Sequence, residues 1–548
     1  MSGDEAECGA EPQNVWHIVG PPGTGKTTTV ARRAKATVEA RGEGSILIAS
    51  LTRAAAEEIA ARDTGALPDQ VGTLHALCWH ALGRPQLVEG HVDEWNREHP
   101  GLAMSTSRRD QDDDLASGGG NLPGDRAMAT LEILRQSLAP PESWPLHVRH
   151  LATRWRAWKD CTGLSDFTDL LELAADQLPV APGSPEVLLG DEVQDWSPLE
   201  THLFCSVWGA HADTVVLAGD VDQSIYSFRG ADARVFMHHP APPPQHVVLQ
   251  ESYRVPRAVH AAAQRVIRTV SDREDVSYRP RDADGVVARS PSTWQEPHDV
   301  VRIVEDCTAR GERVMVLASC GYLLAPLLAL LREQGIPFHN PYKRKRGDWN
   351  PLRSARGKGK RVVTAADRVL AFLAPVLHDR DWTRNELVWW LEKLSTERGG
   401  LARGAKTRVK EESFSPSRDL LSLFARAGIT EDGLPECEHA RAAIGCDLAW
   451  LRRSLLESGT GSIRFAAQVA ARRGPEALCE DPSVIVGTVH SVKGGEASTV
   501  ILFPDISARA ANESSHADRA RLFYVAMTRA RERLVLCDAA SDCEAGFW

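Results

Sequence analysis

The sequence predicts an α/β protein with parallel sheets that is organised in several domains. Short apolar runs such as Val15–Val19 and Val314–Ala318 are each followed by a stretch with the residue pattern of a helix. This alternation of strand and helix is typical of parallel sheets that helices cover on both faces. A chain of 548 residues is too long for one hydrophobic core, and at roughly 150 residues per domain it predicts about three or four units.

The composition narrows the class of protein. Hydrophobic residues make up 43% of the chain and charged residues 25%, which is ordinary for a globular protein. No apolar run reaches the ~20 residues that cross a bilayer, and the acidic N-terminus lacks the features of a signal peptide, so we expect a cytoplasmic protein without a membrane partner. The net charge is −10, and any nucleic-acid site must therefore be a local feature.

A glycine-rich loop near the N-terminus carries the first chemical signal. Residues 20–27 read GPPGTGKT, which fits the pattern G-x-x-x-x-G-K-[ST], and the loop joins a predicted strand to a predicted helix. Gly23 and Gly25 let backbone amides turn towards phosphates, Lys26 adds a positive charge, and the Thr27 hydroxyl can ligate magnesium. The loop predicts a site for a nucleoside triphosphate and Mg²⁺.

Two further apolar runs lead into polar blocks. The first, residues 187–195, reads VLLGDEVQD. Asp191 is placed to hold magnesium through water, and Glu192 to orient and deprotonate an attacking water. On its own such an acidic pair is more typical of a solvated turn or a helix cap, but beside a phosphate loop it favours hydrolysis. The second run, 214–219, continues into the polar and aromatic segment 220–230.

Together these blocks resemble the UvrD/Rep/PcrA branch of the superfamily 1 helicases. The signature blocks are DEVQD at 191–195 and GDVDQSIYSFRGA at 219–231. The other family blocks follow in the family's order, at 49–57, 72–75, 165–171, 249–254, 488–496 and 522–530. The matches extend from residue 20 to residue 530, which makes them far more specific than a phosphate loop alone.

The resemblance implies a domain organisation. It implies two tandem RecA-like P-loop domains with parallel sheets, each carrying a mainly helical inserted subdomain. The expected first motor domain consists of residues 1–82 and 166–245, with residues 83–165 as its insertion. The expected second motor domain consists of residues 246–342 and 480–548, with residues 343–479 as its insertion.

The resemblance also implies an ATP site between the two motor domains. Gln223 would sense the γ-phosphate, Tyr253 would stack on adenine, and Glu496 would lie near the ribose. The implied metal ligands for Mg²⁺ are Thr27 and Asp191, and the implied catalytic residues are Lys26, Glu192, Gln223, Arg254 and Arg529. The implied ATP-binding set is Gly20, Pro21, Pro22, Gly23, Thr24, Gly25, Lys26, Thr27, Thr28, Tyr253 and Glu496.

A single-strand track is implied in the same way. Phe228 stands where relatives usually carry Trp and stack a base, a contact worth roughly 1–3 kcal/mol. The implied DNA-binding residues are Thr52, Thr73, His75, Phe228, Arg229 and His490.

Four departures from the family pattern limit this transfer. The upstream block that reads adenine has no counterpart, although Gln13 precedes the first strand. Leu51 replaces an aromatic residue and Ser252 replaces Asn, while Gly495 and Ala497 replace Leu and an aromatic residue. We therefore expect a working ATPase with a looser strand track.

A basic stretch opens the second insertion. Residues 343–361 contain nine Lys or Arg and one Asp. Such a run can bind nucleic-acid phosphates without base specificity, or it can be a solvated linker; the sequence favours neither interpretation.

The sequence thus predicts an ATP-dependent DNA helicase or translocase whose partners are single-stranded and duplex DNA. The resemblance implies 3′ to 5′ polarity, and we expect a monomer or a weakly self-associating protein. One alternative is a translocase that strips proteins from single strands and unwinds weakly. Another is a nucleic-acid-binding scaffold that uses ATP as a switch, and RNA is also open as the substrate.

Overall fold

The structure is a computed structural model that describes residues 14–105, 122–238, 245–344, 346–353, 362–425, 428–430 and 432–548. Its strands are β1 Val15–Val19, β2 Ile46–Ser50, β3 Val71–Thr73, β4 Val187–Asp191, β5 Thr214–Gly219, β6 His246–Val248, β7 Glu251–Pro256, β8 Arg279–Arg281, β9 Val286–Ser290, β10 Val314–Ala318, β11 Phe338–His339, β12 Val484–Thr488, β13 Ala497–Leu502 and β14 Ala530–Cys537.

The α-helices connect most of these strands or lie in the segments between them. They are α1 Lys26–Arg41, α2 Arg53–Ala60, α3 Leu74–Ala81, α4 Val92–Glu98, α5 Asp125–Gln136, α6 Leu146–Thr162, α7 Phe167–Gln177, α8 Pro198–Thr201, α9 Ala233–His238, α10 Arg257–Ile267, α11 His298–Ala309, α12 Ala325–Glu333, α13 Ala365–His378, α14 Arg384–Leu391, α15 Ala405–Arg408, α16 Pro416–Asp419, α17 Glu438–Ile444, α18 Leu448–Ser454, α19 Gly461–Arg473, α20 Ala508–Glu513 and α21 His516–Met527. None of the helices in the described part of the chain has the length and apolar character that a membrane crossing requires.

The first sheet has the strand order β3-β2-β4-β5-β1-β6, and its paired strands run parallel. Its central strands β2, β4 and β5 are buried along their whole length because helices cover both faces. In β2, for example, Leu47 belongs to the core on one face, and its neighbour Ile48 to the core on the other. This alternation follows from the two-residue period of a strand.

The second sheet repeats this architecture with the order β11-β12-β10-β13-β14-β9, again with parallel pairing. A separate parallel pair, β7 with β8, lies between the two sheets in sequence. The predicted fold class, two tandem RecA-like P-loop domains with parallel sheets, is therefore confirmed. We call the units built on the two sheets the first and the second RecA-like domain.

Each sheet is interrupted in sequence by a helical segment. Helices α4 to α6 lie between β3 and β4, around a core in which the ring of Trp95 contacts those of Trp155 at 4.9 Å and Trp158 at 5.6 Å. Helices α13 to α19 lie between β11 and β12. The structure thus has the expected mainly helical insertions.

One predicted boundary differs from the structure. The first motor domain was expected to end at residue 245, but β6, His246–Val248, pairs with β1 in the first sheet. The first sheet therefore extends one short strand further than predicted. Three residues carry too little periodicity to be recognised as a strand from sequence.

The basic stretch 343–361 lies only partly within the described residues, since residue 345 and residues 354–361 fall outside them. Within the described part, Trp349 and Leu352 are buried, and the Arg346 guanidinium stacks 3.7 Å from the Trp349 ring centroid. Arg353 pairs with Asp481 at 2.8 Å. Residues 346–353 are therefore packed rather than a solvated linker.

A buried ionic network joins the first insertion to the first RecA-like domain. Asp166 caps α7 and accepts hydrogen bonds from Arg135 on α5 and from Lys159 on α6. Burial alone would raise the pKa of Asp166, but the charges of Arg135 and Lys159 hold this pKa well below its usual range. Arg135 also bonds to Asp169 at 2.7 Å and to Glu172 at 2.6 Å. The network attaches the insertion to the start of α7, within the family block 165–171.

We predict that Arg135→Met destabilises the protein by about 3 kcal/mol or more, because it leaves buried carboxylates without a partner. Arg41→Met is the matched control, since Arg41 pairs with Glu186 and Asp213 at an exposed site and its loss should leave the stability nearly unchanged. Thermal unfolding followed by tryptophan fluorescence measures both variants. Equal shifts in the unfolding temperature would contradict this account.

Candidate active site

The carboxyl ends of the first sheet's strands gather the predicted polar blocks. In the strand register Ser50 lies opposite both Asp191 and Thr73, and Val19 lies opposite Gly219. The phosphate loop after β1, the acidic block after β4 and the segment after β5 therefore meet at one edge. This is the edge at which open parallel sheets bind ligands.

The phosphate loop has the geometry of an anion cradle. Gly23 and Gly25 have φ of 75° and 86°, values that glycine adopts without strain. Helix α1 begins at Lys26, so the amides of its first turn lack intrahelical partners and face the loop. The Lys26 side chain is buried, and its Nζ donates to the carbonyl of Gly20 at 2.6 Å. The residues predicted to bind ATP, Gly20 to Thr28, thus form the loop and the first turn of α1.

The residues predicted to hold magnesium lie side by side. The Thr27 hydroxyl donates to Oδ2 of Asp191 at 3.2 Å, while Oδ1 of Asp191 is buried without a hydrogen-bond partner. Burial, together with the neighbouring Glu192 charge, raises the pKa of Asp191 to about 7. A divalent cation would satisfy both the orphan oxygen and the unneutralised charge, so these residues fit Mg²⁺.

Glu192 occupies the position expected for a general base. Its backbone is left-handed, with φ of 57°. This conformation is uncommon for a residue other than glycine, and the residues that adopt it cluster at functional sites. Its Oε2 accepts from Nε2 of Gln194 at 2.6 Å. Burial alone would raise the pKa of Glu192, but the charges of Lys26 and Lys493 lower this pKa to about 2. The carboxylate is therefore charged near neutral pH.

Two arginines of the second RecA-like domain converge on the same site. Arg529 is buried, and its guanidinium donates to Oε1 of Gln223 at 3.0 Å. Nε of Arg254 donates to Glu496 at 2.6 Å, and Arg531 pairs with the same carboxylate. Burial and the nearby Arg254 charge lower the pKa of Arg529 to about 9. This arrangement of cations fits an anion such as a triphosphate.

Strand β7 brings the second RecA-like domain onto the phosphate loop. The amide of Tyr253 donates to the carbonyl of Gly23 at 2.8 Å, and the Ser252 hydroxyl donates to the carbonyl of Pro22 at 2.9 Å. Ser252 Oγ also accepts from the amide of Arg254 at 3.2 Å. The Tyr253 ring is 70% exposed, so it offers a free face beside the loop. The Ser that replaces the family's Asn thus still anchors this strand.

The predicted strand-track residues of the first RecA-like domain lie at helix starts. Thr52 caps α2 by accepting from the amide of Ala55 at 3.2 Å, and Thr73 caps α3 by accepting from Ala76 at 3.3 Å. His75 is half-buried, and its Nδ1 lies 3.7 Å from Glu200. The two hydroxyls therefore order helix N-termini at the cleft.

The remaining track residues form an aromatic cluster. Phe228 is partly buried and packs edge-on against His490, with ring centroids 5.3 Å apart. His490 itself is buried, and its Nε2 lies 3.1 Å from the carbonyl of Ile225. Arg229 is exposed beside the Tyr226 ring. In this arrangement His490 supports Phe228 from behind.

One cleft of about 2900 Å³ contains both the residues predicted to bind ATP and the residues predicted to bind DNA. Its walls include the phosphate loop, the acidic block and both arginines, and also Thr52, Thr73, His75, Phe228, Arg229 and His490. The residues predicted to bind a triphosphate and those predicted to contact a strand therefore share one cleft between the two domains.

The structure adds residues that sequence reasoning missed. Lys493 contacts Asp195 and donates to the carbonyl of Gln223 at 3.0 Å. Tyr342 lies over Gly495, where its ring fills the space that a side chain at 495 would need. Asp195 lies in the family block 191–195 and Lys493 in the block 488–496, but a contact between distant blocks leaves no signal in one sequence. Tyr342 stands in no block.

Two departures from the family pattern acquire a physical account. Gly495 replaces Leu where Tyr342 occupies the room. Leu51 replaces an aromatic residue, and it is partly buried against the cores of both RecA-like domains. Leu51 is thus a contact between the domains, and its aliphatic side chain offers no ring to a base. Gln13 lies outside the described residues.

Comparisons with known proteins agree with this site. A family model described as "AAA domain" matches residues 4–229, and one described as "UvrD-like helicase C-terminal domain" matches residues 483–537. These segments carry the phosphate loop and acidic block at one end and the block around Glu496 and Arg529 at the other.

Three curated relatives that match the chain are named as ATP-dependent DNA helicases. The chain is 22% identical to the putative ATP-dependent DNA helicase YjcD of Bacillus subtilis over 98% of its own length and 78% of that protein. It is 26% identical to the ATP-dependent DNA helicase UvrD2 of Mycobacterium tuberculosis over 59% of its length and 50% of that protein. It is 24% identical to the ATP-dependent DNA helicase UvrD1 of the same species over 54% of its length and 43% of that protein.

The chain is therefore similar to UvrD-like helicases along most of its length, and the resemblance predicted from the sequence blocks is confirmed. As a class these are ATP-dependent DNA helicases, so the predicted enzyme class is confirmed as well. The aligned part spans about half of the UvrD2 protein.

We predict that Gly23→Ala separates β7 from the phosphate loop, whereas Gly25→Ala does not. A Cβ at Gly23 would lie 2.5 Å from Cβ of Arg254, while one at Gly25 would meet nothing closer than 3.9 Å. Both variants carry left-handed strain of roughly 1–2 kcal/mol. Hydrogen exchange at the Tyr253 amide should accelerate in Gly23→Ala alone, and equal protection in both variants would contradict the contact.

Proposed function

We propose that this protein is a motor that moves along single-stranded DNA in the 3′ to 5′ direction and unwinds duplex DNA. Hydrolysis of ATP between the two RecA-like domains drives the movement. The observation that supports the proposal is the shared cleft, whose walls include both the residues predicted to hydrolyse ATP and the aromatic and threonine residues predicted to contact the strand. Single-stranded and duplex DNA are the partners.

The hydrolytic roles follow from the placement of each group. The loop amides and Lys26 bind the phosphates. Thr27 and Asp191 would hold Mg²⁺, which would supply charge neutralisation at the phosphates. Glu192 takes a proton from the water that attacks the γ-phosphorus, and ADP leaves with the bridging oxygen. Arg254 and Arg529 stabilise the charge that develops on the γ-phosphoryl oxygens.

Repositioning of these arginines links hydrolysis to movement. In the structure Arg529 bonds to Gln223 and Arg254 bonds to Glu496. A triphosphate would draw the Arg529 guanidinium from Gln223 to its γ-phosphate, because an anion binds a guanidinium more strongly than an amide does. It would compete with the Glu496 carboxylate for Arg254. The second RecA-like domain would move with Arg529, since Arg529 is buried in it. Phe228, at the domain junction, would then shift against a stacked base.

A second candidate is a translocase that displaces proteins from single strands and unwinds weakly. The burial of Leu51 between the two domain cores favours it, because a position that carries an aromatic residue in the family offers no base stack here. Fork substrates with 3′ or 5′ tails, tested beside a streptavidin-displacement substrate, separate the candidates. Unwinding of the 3′-tailed fork supports the helicase, and displacement alone supports the translocase. Inactivity on every substrate contradicts both.

We predict that Lys26→Ala abolishes ATP hydrolysis, because it removes the charge that the loop places on the phosphates. Glu192→Gln should bind ATP and DNA as tightly as the wild type yet hydrolyse ATP at least about a hundredfold more slowly, since it lacks the proton acceptor. Steady-state hydrolysis and nucleotide binding measure both effects. DNA-stimulated hydrolysis by Lys26→Ala would exclude the assigned site.

We predict that Phe228→Ala weakens binding of single-stranded DNA by about 1–3 kcal/mol, the worth of one base stack, and that Phe228→Trp preserves it. Tyr322→Ala is the control, because Tyr322 is an aromatic residue with 50% of its surface accessible that is not part of the cleft wall. Fluorescence anisotropy with an oligothymidylate measures the affinities. Equal losses in Phe228→Ala and Tyr322→Ala would contradict a base platform at Phe228.

A further inference from the structure

Lys493 lies where the two RecA-like domains meet the hydrolytic acids. It follows the turn His490–Val492 of the second domain, and its side chain is 9% exposed. Its ammonium contacts the carboxylate of Asp195 and lies 3.6 Å from Oε2 of Glu192, both in the first domain. It also donates to the carbonyl of Gln223 at 3.0 Å. One cation thus touches the acidic block and the segment after β5.

The same ammonium faces the aromatic cluster of the strand track. It lies 5.3 Å from the centroid of the Tyr226 ring, within the range of a cation–π contact. The Tyr226 ring lies 6.0 Å from that of Phe228 and 5.8 Å from that of His490. The Tyr226 hydroxyl donates to the carbonyl of His490 at 3.4 Å. A shift of the Phe228 ring is therefore passed through packed side chains to Lys493.

The contact with Asp195 is the stronger of the two acid contacts. The Asp195 carboxylate is fully buried, and its Oδ1 accepts from the amide of Ile225 at 3.2 Å. A buried carboxylate is costly without its cation, so Lys493 remains with Asp195 when the cluster moves. The contact with Glu192 is longer, and a small shift breaks it.

The longer contact bears on hydrolysis. Oε2 of Glu192 already accepts from Gln194 at 2.6 Å and also faces Lys493 at 3.6 Å. These contacts turn Oε2 towards Gln194 and Lys493, whereas a general base must hold an oxygen within hydrogen-bond reach of the attacking water. Departure of Lys493 would remove the ion pair that orients the carboxylate and let it turn towards that water.

We propose that Lys493 is a positioning residue through which strand binding controls ATP hydrolysis, a regulatory role that rests on the proposed function. Without a strand, Lys493 holds Glu192 away from the attacking water. When a base stacks on Phe228, the rings of Tyr226 and His490 shift, and Lys493 leaves Glu192 while it stays on Asp195.

The test compares ATP hydrolysis by Lys493→Met with and without saturating oligothymidylate. We expect the DNA-free rate to rise at least about fivefold, because coupling energies between sites typically correspond to 5–150-fold, and we expect the ratio of stimulated to DNA-free rate to fall by the same factor. Lys493→Arg keeps the charge and should keep the low DNA-free rate. A purely structural role would lower both rates and leave their ratio unchanged.

Matched variants guard against misfolding. Lys493→Met leaves Asp195 buried without its cation, so the double variant Lys493→Met/Asp195→Asn removes both charges and should show the same raised DNA-free rate. Arg509→Met removes another cation of the cleft, one that pairs with Glu513, and should keep the wild-type ratio.

Tyr226→Leu breaks the path at another point. It should bind DNA yet retain the low DNA-free rate without stimulation, because Lys493 keeps its acid contacts. A DNA-free rate that is unchanged or lower in both Lys493→Met and the double variant would overturn the inference. If DNA fails to stimulate the wild-type protein, the proposed function itself fails, and the inference with it.

Discussion

The close approach of β7 to the phosphate loop is the contact on which the rest of the site depends. Tyr253 and Ser252 bond to the carbonyls of Gly23 and Pro22, and a single added Cβ at Gly23 would separate the two segments. The approach orients Arg254 towards the loop and aligns the second sheet so that Arg529 reaches Gln223. Without it the two RecA-like domains would present incomplete halves of a site.

The buried charges of Asp191 and Arg529 favour the binding of ligands of opposite charge. Asp191 is a buried carboxylate whose pKa burial raises to about 7, and Arg529 is a buried guanidinium whose pKa burial lowers to about 9. Burial of each charge costs free energy. A divalent cation beside Asp191 and a triphosphate beside Arg529 would relieve both costs, so ligand binding can favour domain closure.

The sequence predicts those parts of the site that are local. The phosphate loop and the acidic block sit next to strands with a clear apolar pattern, and the parallel sheet places them at one edge. Contacts between distant segments escape this reasoning. The pairing of Lys493 with Asp195, the Tyr342 ring over Gly495 and the short strand β6 depend on tertiary packing, which one sequence does not encode in any local pattern. The roles of the individual site residues stay predictions.

Steady-state ATP hydrolysis with and without single-stranded DNA tests the central claim most directly, with duplex DNA and RNA as comparisons. The account predicts strong stimulation by single strands, because the track and the hydrolytic residues share one cleft and one set of domain contacts. A rate that no nucleic acid changes would contradict it. In that case the phosphate loop would serve an ATPase whose cleft is not coupled to a strand.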